Sequence, residues 1–190
     1  MVIAQRPNRG GFLRPFGCGQ FVREYLLGNG PEGSTPIDPE RGAPQADINY
    51  EYKEALARAT ARERAEKIIS RMVLSGADVT EEQAEKIHER ELKKVSRKFT
   101  RMRYHSFLVY FGVLKRLAWV EATSESENSS IQDNYPAAPD RTYYRLTAAG
   151  REAGEDLWSN PQYTLYPENG RSHQSKQTGW PHRKVRKPGI

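Results

Sequence analysis

The chain has a single cysteine, Cys18, so no internal disulfide can form. We read that cysteine as a small apolar residue in a reducing compartment. No apolar run approaches the roughly 20 residues that a membrane helix needs. The opening MVIAQRPNRGGFLRPFG has no continuous apolar stretch of the kind found in a secretory signal. Cytoplasmic, nucleoid-associated placement is the expectation. Chemistry is scarce as well. The four histidines, His88, His105, His173 and His182, form neither HExxH nor a Cys/His metal spacing. We read His88, on a charged helix, as solvated. There is no Walker A sequence and no GxGxxG. The carboxylates sit mostly in helices rich in Glu and Lys, where a solvated face is the ordinary reading. The expectation is a non-enzyme without metal or cofactor.

What is present is charge of one sign. Against 24 acids stand 30 lysines and arginines, a net charge of +6, and mean hydropathy is -0.84. That balance favours a polyanionic partner. Its distribution is uneven. Residues 1–19 carry Arg6, Arg9 and Arg14 and no acid. From Asn169 to Ile190 the chain again has no acid but holds Arg171, Lys176, Arg183, Lys184, Arg186 and Lys187. We read 1–19 as a basic arm and 159–190 as a basic, unpacked tail, either solubilising or gripping phosphate.

Between the arms, periodicity predicts helices. Phe21, Val22, Tyr25 and Leu26 lie at helical spacing, and Gly28-Asn29-Gly30-Pro31 stops that helix. Residues 28–46 read as loop, opening an insertion over 28–79. Asp47 is placed to cap a long amphipathic helix, 47–74, which carries Leu56, Ala59, Ile68, Ile69 and Met72 and offers a surface for a homodimer or another protein. Thr80 and Gln83 form a capping box for the next helix. The basic run Arg97, Lys98, Arg101, Arg103 follows.

The most informative stretch is HSFLVYFGVLKRLAWVEAT followed, after a polar insert, by DRTYYRLTAAGREAG. At 100° per residue Phe107, Tyr110, Phe111, Leu114 and Leu117 share one face. His105, Val109, Gly112 and Arg116 lie opposite, with Leu108 and Arg101 beside them. Gly112 costs a helix about 1 kcal/mol relative to Ala, which a close approach by a partner or a packed element would explain. Val120 begins one strand, and Tyr143, Tyr144 and Leu146 line another. Thr147 is placed to cap a last helix, Ala148–Trp158, with Trp158 packing it on the core.

This order of helix, strand, insert, strand, helix resembles the second half of the winged helix-turn-helix in regulators of the MarR and PadR type. The resemblance rests on Leu114-Lys115-Arg116-Leu117-Ala118-Trp119-Val120-Glu121, with Ala118 where Gly is usual, and on Tyr-Tyr-Arg-Leu-Thr-x-x-Gly-Arg-Glu over 143–152. Over about residues 100–158 it implies a winged helix-turn-helix, mostly α with a small β wing, within a domain 20–158 that carries the helical insertion 28–79. It also implies non-catalytic binding of double-stranded DNA by a transcriptional regulator. The helix 101–117 would enter the major groove. Arg97, Lys98, Arg101, Arg103, His105, Ser106 and Arg116, with Arg183, Lys184, Arg186 and Lys187 of the tail, would be the contacts. One departure stands out: the insert holds Glu125, Glu127, Asp133 and Asp140 against Arg141 alone. An acidic tip repels phosphate. The other reading is therefore a winged-helix scaffold subunit in a larger nucleoprotein assembly.

Overall fold

A computed structural model describes residues 6–7, 13–96, 104–127 and 140–167. The elements are β1 (Arg6–Pro7), β2 (Leu13–Arg14), α1 (Cys18–Leu26), β3 (Ala43–Pro44), α2 (Gln45–Leu74), α3 (Glu81–Lys94), α4 (Tyr104–Arg116), β4 (Val120–Glu127), β5 (Arg141–Leu146), α5 (Ala148–Glu152), α6 (Glu155–Ser159) and α7 (Pro161–Leu165). The protein is mostly helical, with a three-stranded antiparallel sheet in the order β3-β5-β4 and a separate β1-β2 pair. The expected class, mainly α with a little β, holds at that level.

The helix α1 starts at Cys18, inside the segment expected to be an arm. The Gly17 amide donates to Gln20 Oε1 at 3.1 Å, which ties down the first turn. Phe21, Val22, Tyr25 and Leu26 are all buried, as their spacing predicts, and so is Cys18. The stop also falls where expected, with Gly28 at φ +80.

Residues 28–46 are not a free loop. They end in β3, whose Ala43 and Pro44 pair with Tyr144 and Tyr143 of β5. Gly42 makes this approach possible. It sits at φ +77, and a Cβ there would meet the Tyr144 carbonyl oxygen at 2.0 Å. Two residues of strand, one of them proline, give almost no periodic signal, and proline is tolerated there because the strand is at the sheet edge. The rest of the segment is held against α2. The Thr35 hydroxyl donates to Glu51 at 2.6 Å, Arg58 reaches Ser34 at 3.3 Å, and Arg62 pairs with Glu32 at 2.6 Å.

The helix α2 begins two residues before the expected start. Pro44 is its N-cap and makes no side-chain cap bond, so Asp47 is not the cap. Asp47 lies in the first turn and pairs with Arg141 of β5. The proximal part of α2 belongs to the core: Ile48, Tyr52, Ala55 and Leu56 pack with α1, α4 and the sheet. Past Ala65 no residue of α2 is buried. There α3 packs antiparallel to α2. It is capped as the sequence predicts, the Gln83 amide donating to Thr80 Oγ1 at 3.3 Å. Glu91 is its one buried residue. Lys94, 2.8 Å away, is the main cause holding the Glu91 carboxyl below its ordinary range. His88 is not solvated as its charged helix suggested. It is half-buried, and its Nε2 is enclosed with no hydrogen-bond partner among the described residues.

The core proper gathers Phe107, Phe111, Leu114, Val120 and Leu146 with the apolar faces of α1 and proximal α2, and Leu117 and Tyr144 pack against it. Phe111 meets Tyr144 edge-on at 5.1 Å between centroids. This is the set that the helical phase and the strand alternation predict.

The single helix expected over Ala148–Trp158 is two, α5 and α6, broken at Ala153-Gly154. The bend returns Trp158 to the core, where it is fully enclosed. Its indole N–H donates to the Gly150 carbonyl at 3.0 Å, and its ring lies 4.8 Å from that of Trp119. Nor is the segment after Ser159 unstructured throughout. Pro161 opens α7 and is buried. The N-terminal arm's Arg9 and the tail from 168 onward lie outside the described residues.

Candidate nucleic-acid interface

The helix α4 is positioned by its own inward face. With Phe107, Phe111 and Leu114 in the core, His105, Leu108, Val109, Gly112 and Arg116 fall at i, i+3, i+4, i+7 and i+11 on the opposite side. Leu108 is 37% exposed and Val109 52%. Gly112 lies at the middle of this outward stripe, and a Cβ there would find nothing within 4 Å. A packed element of the described chain therefore does not account for the glycine.

Of the residues expected to contact DNA, the structure describes three. His105 and Ser106 are exposed in the first turn of α4. Arg116 is exposed at its C-terminal end, but it is engaged: its guanidinium donates to the Tyr166 hydroxyl at 2.9 Å and lies 5.7 Å from the centre of the Tyr166 ring. Sequence reasoning missed that anchor, because Tyr166 stood in the segment read as tail. It also missed Tyr104, which is exposed beside the stripe. Partial burial is the main cause pushing its phenol above the ordinary value, so it is a hydrogen-bond donor at neutral pH. Arg97, Lys98, Arg101, Arg103, Arg183, Lys184, Arg186 and Lys187 lie outside the described residues.

The exit of α4 carries the clearest local strain. Ala118 has φ 52, the left-handed region that favours glycine. The turn is closed by the Trp119 amide donating to the Leu114 carbonyl at 3.0 Å. Thr147 then locks it from the far strand. Its hydroxyl donates to the Ala118 carbonyl at 2.5 Å and accepts from the Gly150 amide at 3.0 Å. Gly150 is needed because a Cβ there would meet the Trp119 carbonyl oxygen at 2.1 Å. The Thr-x-x-Gly part of the motif is thus explained by packing of α5 on the end of α4.

The acids of the β4–β5 hairpin are largely spoken for. Glu125 pairs with Arg41 at 2.6 Å, Glu127 with Arg141 at 3.1 Å and Glu121 with Arg145 at 2.9 Å. Arg145 and Arg151 both reach Glu40, at 3.3 and 2.7 Å. The sequence count of acids against Arg141 alone overlooked Arg41, which β3 brings to the sheet across 84 residues of chain. Partly exposed pairs of this kind contribute little stability each. Their effect is to cancel the field that unpaired acids would present. Asp140 is exposed, and Asp133 lies outside the described residues.

No group of three or more histidines, cysteines or acids that could hold a metal ion occurs among the described residues. No described helix is long and apolar enough to cross a membrane. Burial, reinforced by Glu51 and Asp47, pushes the Tyr25 phenol up to about 12. Tyr25 lines a cavity of about 420 Å³ with Ile37, Pro44 and Tyr143. This cavity is polar-rimmed by Asp38, Arg41, Asp47 and Glu51, and the residues expected at a DNA surface are not among its walls. Comparison with protein-family models, with curated proteins and with solved structures found no match to this chain.

Proposed function

We propose that the chain is a winged helix-turn-helix protein of the MarR/PadR kind that binds double-stranded DNA without catalysis, as a transcriptional regulator. The observation that carries this is the outward stripe of α4. Gly112 costs the helix about 1 kcal/mol and gains no contact within the described chain, so what it permits is approach from outside. The helix precedes the antiparallel hairpin β4–β5, and β3 completes the sheet on the β5 edge, which is the order that such a domain requires. A helix buried on one side, with Val113 also covered and Arg116 engaged by Tyr166, but open at His105, Leu108 and Val109, fits a major groove by that open stripe. His105, Ser106 and Tyr104 offer polar groups on or beside the bare side, and the surplus of cations in the chain supplies phosphate contacts that fix register. Internal pairing of Glu125 and Glu127, two of the four acids of the insert, weakens the objection that the wing would repel DNA.

A scaffold subunit is the second reading, and one observation favours it. At the tip of the α2–α3 hairpin Val73 is 56% exposed and Leu74 87%, apolar groups of no use to a phosphate backbone. Retention of random-sequence duplexes on the full chain, followed by sequencing, separates the two. An enriched motif supports the regulator. Uniform weak retention that vanishes with moderate salt supports the scaffold.

A further inference from the structure

We propose that α4 reads thymine methyl groups through Leu108 and Val109, so that A·T pairs at the centre of the bound site are recognised by apolar contact. This rests on the DNA-binding reading. Leu108 and Val109 stand four and three residues before Gly112, about 40° to one side of it and about 60° to the other around the helix axis. Any duplex base that meets Gly112 is flanked by these two side chains. Among the described residues the middle of the stripe holds no amide or guanidinium group to exchange hydrogen bonds with a base edge. The nearest arginine on the stripe, Arg116, is one turn further on and bound to Tyr166.

Four chemical patterns face the major groove, and only thymine presents an apolar group there, its C5 methyl. A branched apolar side chain set against guanine, cytosine or the adenine amino group strips water from polar edges and returns no hydrogen bond. Set against thymine it buries a methyl instead. Gly112 adds to the effect, since the missing side chain lets the backbone sit close enough for Leu108 and Val109 to touch the groove floor. His105, one turn before on the stripe, is then placed to accept or donate at the neighbouring pair.

The test uses the full chain and the duplex enriched from a random pool. Each thymine is replaced in turn by deoxyuridine, which removes the methyl and nothing else. Affinity should fall about fourfold at one or two central positions, the effect of exposing one methyl-sized group. In the Leu108→Ala/Val109→Ala variant the thymine and uracil duplexes should bind alike. Both residues are exposed, so unchanged thermal unfolding of the variant shows that its fold is kept. Equal binding of thymine and uracil duplexes by the natural chain, or an enriched site with no central A·T pair, overturns the proposal while leaving DNA binding in place. If no duplex is enriched at all, the DNA-binding reading falls together with it.

Discussion

Two helical glycines show how differently the two sides of this molecule are built. Gly150, in α5, is pressed on Trp119 so closely that a Cβ would overlap its carbonyl oxygen at 2.1 Å. Gly112, in α4, has open space where its side chain would be. The first belongs to a corner where Thr147 donates to the Ala118 carbonyl at 2.5 Å, and where Gly150 donates to Thr147 and accepts from the Trp158 indole, both at 3.0 Å. The second belongs to a stripe that nothing among the described residues meets at Gly112, although Tyr166 covers its far end at Arg116. A glycine at a close approach is explained by the fold. A glycine in the open is a cost that the fold does not explain, and it directs attention to what lies outside.

The comparison is sharpened first by its inward side. Leu114 is fully buried beneath the stripe, and Leu114→Ala should cost roughly 2–5 kcal/mol in denaturant unfolding. Loss of less than about 1 kcal/mol would mean that α4 is not anchored as described. Gly150→Ala comes next. Forcing a methyl against the Trp119 carbonyl should destabilise by about 1–3 kcal/mol, with the Trp119–Trp158 contact disturbed and the tryptophan fluorescence shifted. A neutral result would show that α5 can slide away, and that Thr147 does not fix it.

Most of the corner is legible in the sequence. The Thr-x-x-Gly spacing, the buried Trp158 and the phase of Phe107, Phe111 and Leu114 are local or periodic signals, and the fold keeps them intact. What is illegible has physical causes. The strand β3 is two residues long and includes a proline, so its existence depends on β5 and not on its own pattern. Arg41 meets Glu125 across 84 residues, and a long-range ion pair leaves no trace in a window. The break at Ala153-Gly154 is set by the need to return Trp158 to the core, which overrides the helical reading of that run. The site is legible only in part. Spacing alone puts His105, Val109, Gly112 and Arg116 on one face, but the engagement of Arg116 by Tyr166 requires the chain beyond Trp158 to fold back onto α4.

Ala118 tests the boundary between the two sides. Its left-handed backbone is strained for any residue with a side chain, so Ala118→Gly should stabilise by about 1 kcal/mol and raise the melting temperature by a few degrees. DNA affinity should not change, because Ala118 lies in the turn and takes no part in the stripe. A loss of stability would show that the chain entropy of glycine outweighs the strain relieved.

The smallest change in stability carries the most direct test of the central claim, that the outer face of α4 exists for a partner. Gly112→Ala should raise stability by about 0.5–1 kcal/mol, since the helix gains a better former and the methyl meets nothing. The same variant should lose affinity for the enriched duplex by roughly tenfold, a factor worth about 1.4 kcal/mol, because the methyl stands between the helix backbone and the groove. Stability and affinity measured side by side must move in opposite directions. A variant that is more stable and binds duplex DNA as tightly as the natural chain would contradict that claim.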